Sequence, residues 1–75
     1  MLAYVLVSLK QASEKQVYEK LSKLKEVQEL NIIFGEWDII MKVSVRSADH
    51  LGTFVMDKIR SLPEVKLTST LIVAK

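Results

Sequence analysis

Gly35-Glu36-Trp37-Asp38 is the segment whose residue types and spacing most invite a chemical reading. Glycine tolerates a positive φ at a turn. Asp38 follows three residues later, an acid inside a strand pattern where β-propensity disfavours it. A carboxylate set between bulky Trp37 and Ile39 needs a partner: a backbone donor, a lysine such as Lys42, or the ammonium group of a ligand. An edge charge that blocks aggregation is the structural alternative. Thr68, Ser69 and Thr70 offer hydroxyls beside apolar Leu71-Ile72-Val73, a pattern that ordinary strand threonines also produce.

No catalytic constellation stands out. Gly35 and Gly52 are the only glycines, so a glycine-rich phosphate loop is excluded. His50 opens a helical segment with no nucleophile marked near it, which suits a first-turn or surface residue better than a general base. Asp49 beside it suits a helix cap. An acylphosphatase-like site would need an arginine in the loop Leu9-Lys10-Gln11-Ala12-Ser13, which has none. Tyr4 and Trp37 lie on candidate central strands, but the basic, glycine-flanked aromatic motif of an RNA-binding sheet is missing. With no cysteine and one histidine, disulfides, thiolate metal sites and histidine-rich zinc sites are excluded. No cofactor is expected.

The elements that must position these residues follow from periodicity. Leu2 to Leu9 is an apolar run rich in valine, the pattern of a strand buried on both faces. Ser13 and Gln16 form a capping-box pattern ahead of a helix over Glu14–Lys25, with Val17, Leu21 and Leu24 on one stripe. Glu19 and Lys23 stand one turn apart on its outer side. Val27 to Phe34 reads as a second strand, with Leu30, Ile32 and Phe34 on one face and Val27, Glu29, Asn31 and Ile33 on the other. Gly35-Glu36 reads as a two-residue hairpin turn. A third strand over Trp37–Val45 alternates strictly, with Trp37, Ile39, Met41, Val43 and Val45 on one face. Ser47 or Asp49 can cap a second helix, which Pro63 stops at Ser61 or Leu62. Val65 to Val73 is the fourth strand, with Val65, Leu67, Ser69, Leu71 and Val73 on one face and Thr68, Thr70 and Ile72 on the other.

The order βαββαβ predicts an α+β, ferredoxin-like fold. A four-stranded antiparallel sheet carries two helices on one face, with the first and third strands central, as in dimeric α/β barrels. Residues 1–75 form one domain. A chain of 75 residues is marginally stable alone, and 49% hydrophobic content exceeds what it can easily hide. A first strand apolar on both faces leaves the uncovered sheet face needing a partner, most simply a second copy related by two-fold symmetry. The net charge of +2 arises from interleaved acids and bases, with no basic stripe for nucleic acid. The apolar N-terminus is too short to span a membrane and lacks a signal-peptide n-region and cleavage site, so a cytoplasmic location is expected.

Two stretches, at matching spacing over essentially the whole chain, resemble one family. Gly35-Glu36-Trp37-Asp38-Ile39-Ile40-Met41-Lys42-Val43 resembles the glycine–x–aromatic–aspartate hairpin of the effector-binding domain of Lrp/AsnC transcription regulators, also called the regulation-of-amino-acid-metabolism (RAM) domain. Leu62-Pro63-Glu64-Val65 and Thr68-Ser69-Thr70-Leu71-Ile72-Val73 resemble its helix end and last strand, with Glu64 where the family often has glycine. The resemblance implies a homodimer formed through the sheets, higher rings of dimers, and an amino-acid effector held at contacts between dimers. By matching position it implies ligand contacts from Ile32, the backbone at Gly35, Trp37, Asp38 (receiving the ammonium group), Ala48, Thr68, Thr70, Leu71, Ile72 and Val73. The chain starts at its first strand, where a full regulator carries a helix-turn-helix domain. It therefore resembles stand-alone members, with no direct DNA contact expected and a full-length regulator as a possible partner. The expected function is an amino-acid-binding, self-associating regulatory module. The alternatives are a small dimeric α/β-barrel enzyme and a ligand-free partner-binding protein.

Overall fold

The computed structural model describes residues 1–75, in the order β1 (Leu2–Leu9), α1 (Glu14–Ser22), β2 (Val27–Ile32), β3 (Ile39–Ser44), α2 (Ala48–Phe54), a π-helical turn (Val55–Ile59) and β4 (Val65–Ile72). The strands form one sheet in the order β2-β3-β1-β4, antiparallel throughout, so β1 and β3 are central as expected. Ala3, Val5 and Val7 of β1 and Ile39, Met41 and Val43 of β3 join Val17 and Leu21 of α1 and Leu51 and Phe54 of α2 in one buried cluster. Both helices therefore cover the same sheet face, and every buried residue is apolar.

The other face carries Tyr4, Leu6, Ile40 and Lys42, each half-buried, while Leu67 and Leu71 are 57% and 54% exposed. The radius of gyration of 11.4 Å agrees with the value of about 11 Å for a tightly packed chain of this length. The uncovered apolar groups thus follow from a two-layer architecture and not from loose packing.

The boundaries differ from the periodic reading where backbone groups find other partners. α1 ends at Ser22, three residues before Lys25, because the Leu24 N–H donates to Leu21 O and the Val27 N–H to Leu24 O, tightening the chain into turns. The capping box does not form: the Ser13 hydroxyl donates to Gln11 O at 3.1 Å. The Glu19–Lys23 pair is also not made; the ion pairs are Lys20–Glu64 and Lys42–Glu29, and His50 Nε2 lies near Glu26. Ser47 does cap α2, accepting from the His50 N–H at 3.1 Å. α2 gives way to a wider turn after Phe54, in which the Arg60 N–H donates to Val55 O at 2.8 Å.

Both edge strands shift register near their starts. Val27 faces Val43 while Glu29 faces Lys42, and Val65 faces Leu9 while Leu67 faces Ser8. Each shift inserts one residue, Gln28 or Lys66, and so moves the preceding valine to the other face. Val65 is therefore buried under the helices while Leu67 lies on the open face, correcting their expected common side. Val27 likewise shares the helix side with Leu30 and Ile32.

Candidate functional site

β2 stops at Ile32 and β3 starts at Ile39, so the connection is the six-residue segment 33–38 and not a two-residue turn. Asp38 explains the difference. Its N–H donates to Val7 O of β1 at 2.9 Å, and its own carbonyl accepts from the Ile33 N–H at 2.9 Å. Its Oδ2 accepts from the Leu9 N–H at 2.7 Å. Three hydrogen bonds thus pin one residue between β1 and the base of the hairpin. Gly35 turns the loop at φ 134°, a backbone state L side chains rarely adopt.

The partner that Asp38 takes in the fold is the backbone donor. Lys42 instead approaches Glu29 at 3.9 Å. Asp38 Oδ1 has no protein partner and remains an acceptor. Around it opens a cleft of about 480 Å³, lined by Glu14, Lys15, Ile32, Ile33, Phe34, Gly35 and Asp38. That volume is within the range of about 300–1,000 Å³ common for small-molecule sites. Its lining holds acids, a cation and apolar side chains, the complement a zwitterion with an apolar side chain requires.

Ile32, Gly35 and Asp38 of the sequence-derived set meet in this cleft; Trp37 is half-buried and is not part of the lining. Glu14, Lys15, Ile33 and Phe34 escaped sequence reasoning. Phe34 had a visible signal, an aromatic abutting the turn glycine, and it is wholly exposed in the fold. Glu14 and Lys15 had none, because they come from the start of α1, remote in sequence.

The rest of the set lies elsewhere in the chain. Ile72 faces Ala3 and the Val73 N–H donates to Leu2 O, which puts the Leu71–Val73 stretch at the opposite end of β1 from Asp38. Ala48 opens α2 at that far end, since the Val45 N–H three residues earlier donates to Met1 O. Along β1, about 13 Å separate the Val7 and Ala3 levels. Thr70 faces Val5 between them. Thr68 faces Val7 and lines a second cleft, with Arg60, Val65, Lys66 and Leu67. One chain therefore does not gather the set into one pocket.

His50 holds the β3–α2 connection together. Its Nδ1 accepts from the Arg46 N–H at 3.0 Å and its Nε2 lies 3.5 Å from Glu26 Oε2. Glu64 joins the start of β4 to α1 through Lys20 Nζ at 2.9 Å, and that hydrogen bond, more than any other cause, holds its carboxyl below the ordinary range. No group of three or more His, Cys, Asp or Glu side chains gathers as a metal site would require.

A family model described as the Lrp/AsnC ligand binding domain matches residues 2–75. The chain belongs to that family. FL11, an HTH-type transcriptional regulator of Pyrococcus horikoshii, is 35% identical over 75 residues, which is all of this chain and 49% of FL11. Across the similar curated regulators, the chain spans 40–49% of their length. The crystal structure of FFRP-DM1 superposes with a TM-score of 0.91 at 38% identity, covering 96% of both chains. E. coli AsnC superposes with a TM-score of 0.93 at 33% identity, covering 99% of this chain and 50% of AsnC. Lrp/AsnC domains are regulatory and not enzymatic, which removes the dimeric-barrel enzyme alternative. In this family they bind small ligands such as amino acids, and they generally oligomerise. No helix is long and apolar enough to cross a membrane.

Proposed function

We propose that this Lrp/AsnC domain is an amino-acid sensor whose binding site is completed by self-association. The observation that carries the reading is the hairpin cleft, with the free Asp38 Oδ1 beside Glu14, Lys15 and exposed Phe34. Asp38 and the Gly35 backbone hold the polar end of the ligand. Ala48, Leu71, Ile72 and Val73 are too far away within one chain to help. A neighbouring copy supplies them, covering the ligand side chain with residues of which Leu71 and Ile72 are 54% and 53% exposed. The half-buried open sheet face, with Tyr4, Leu6 and Ile40, forms the homodimer, and hairpin-to-strand contacts join dimers into a ring. Residues 1–75 then act as one effector-binding and oligomerisation unit, which modulates DNA-binding regulators of the same family by mixed assembly.

The test is thermal unfolding in mild denaturant against each of the twenty amino acids. A ligand at about a hundred times its dissociation constant stabilises by about 2.7 kcal/mol. On a domain of this size that moves the midpoint by about 10 °C or more. A shift confined to a few chemically related amino acids, and lost in Asp38→Asn, is the expected result. Asn keeps an oxygen for the Leu9 N–H and removes the charge, so it separates ligand binding from folding. No shift with any amino acid would overturn the sensor reading and leave a ligand-free partner-binding role. Subunit exchange with a full-length regulator would then be the measurement to make.

A further inference from the structure

We infer that the cleft at the β4 edge is a second binding site, selective for a small anion: a carboxylate or phosphate group without an accompanying ammonium. The inference does not rest on the amino-acid reading, although Thr68 is shared with the set of contacts that the family resemblance implies. The cleft measures about 230 Å³ and is lined by Arg60, Val65, Lys66, Leu67 and Thr68. Its two cations come from different elements: Arg60 follows the π-helical turn, and Lys66 is the inserted residue of the β4 bulge.

Three features favour an anion. Neither cation is neutralised: the ion pairs of the chain use Lys20 and Lys42. No acid lines the cleft, and the acid closest in sequence to Lys66, Glu64, is engaged by Lys20 at 2.9 Å. The Thr68 hydroxyl takes part in none of the side-chain hydrogen bonds and is free to donate. Arg60, Lys66 and Thr68, lining one small cavity, carry the guanidinium, ammonium and hydroxyl donors that match the oxygens of a carboxylate or phosphate. An edge lysine that merely deters aggregation accounts for Lys66 but leaves Arg60 across the same cleft unexplained.

The missing acid sets the selectivity. A zwitterionic amino acid would bring an ammonium group towards two cations with no carboxylate to offset them. The hairpin cleft, with Glu14 and Asp38, has the opposite preference. The cavity falls below the usual range of drug-sized sites, of about 300 Å³ upwards, so the ligand is a metabolite of few heavy atoms.

The experiment is a ¹H–¹⁵N NMR titration of the intact chain with sodium phosphate, sodium acetate and glycine, at ionic strength held constant with sodium chloride. Saturable shifts confined to the amides of Arg60, Lys66, Leu67 and Thr68 are expected with phosphate, acetate or both. Saturation by phosphate alone identifies phosphate chemistry as the source, and saturation by both identifies small anions generally. Glycine should bind at least about tenfold more weakly than the better anion. Arg60→Gln/Lys66→Gln should lose at least about tenfold in anion affinity, with the hairpin amides unmoved as the check on folding. Non-saturating shifts, glycine binding as tightly as the anions, or unchanged affinity in the double variant would each overturn the inference.

Discussion

Two clefts flank the same end of β1. Val7 faces Ile39, beside the hairpin cleft, and on its other side faces Thr68 of the β4-edge cleft. They differ in how their charged groups are committed. At the hairpin, Asp38 is tied to the scaffold through its N–H, its carbonyl and Oδ2, and presents one remaining oxygen. At the edge, Arg60 and Lys66 are tied to no carboxylate. The first cleft is therefore part of the folding machinery as well as a recognition surface. The second is separable from it. Folding and binding should respond together to change at one cleft and independently at the other.

The largest effect should come from Asp38→Ala. It strands the partly buried Leu9 N–H and removes the side chain that fixes the base of the hairpin. Leaving one such donor unpaired costs about 1–3 kcal/mol. Urea unfolding should show that loss, and Asp38→Asn should recover most of it. If Ala and Asn were equally mild, Asp38 would not be pinned as described, and the contrast between the clefts would collapse.

Gly35→Ala comes next. A β-carbon there meets no atom within 4 Å, so the penalty is backbone strain alone at φ 134°. An L-residue held in such a region costs about 1–3 kcal/mol. The expected outcome is a lower urea midpoint together with weaker amino-acid stabilisation. A variant that lost stability but kept its ligand response would detach the Gly35 backbone from recognition.

The sequence carried the layout of this fold clearly and its commitments poorly. Strict alternation through Ile39, Met41 and Val43, and an apolar β1, were enough to put β1 and β3 in the middle. Strand ends were not legible, because Asp38 gives its N–H to Val7, a residue distant in sequence. The two register shifts were hidden for the same reason: a bulge depends on the partner strand, and neither Gln28 nor Lys66 announces one. The π-helical turn, closed by the Arg60-to-Val55 hydrogen bond, follows backbone spacing to which side-chain periodicity is blind. Within the hairpin cleft, a glycine and an acid out of character marked Gly35 and Asp38. Glu14 and Lys15 arrive from α1 through tertiary packing. Arg60 is an ordinary surface arginine until the chain folds it beside Lys66.

Lys20–Glu64 tests whether the edge cleft stays free of acid. Lys20 holds the Glu64 carboxyl below its ordinary pKa, chiefly through their hydrogen bond. A depressed folded-state pKa contributes stability that is fully present above the unfolded value and is lost as pH falls through the folded one. The wild-type urea midpoint should therefore carry a component that declines below the ordinary carboxylate range, and Lys20→Met should flatten it. Lys20→Met also releases a carboxylate near Lys66, so anion affinity at the edge should fall as well. An unchanged pH profile would mean that Glu64 is not held by Lys20 and that the edge cleft is not kept acid-free in this way.

The smallest stability effect belongs to Arg60→Gln/Lys66→Gln. Both residues are exposed and unpaired, so the double variant should unfold within about 0.5 kcal/mol of the parent. The sign should be slightly favourable, since two uncompensated like charges repel across the cleft. Amino-acid stabilisation should stay intact, while phosphate or acetate should no longer shift the Thr68 amide. A loss of stability comparable to that of Asp38→Ala would show that these cations also serve the fold. The two clefts would then differ only in the sign of their charge, and not in whether binding can be removed without disturbing the chain.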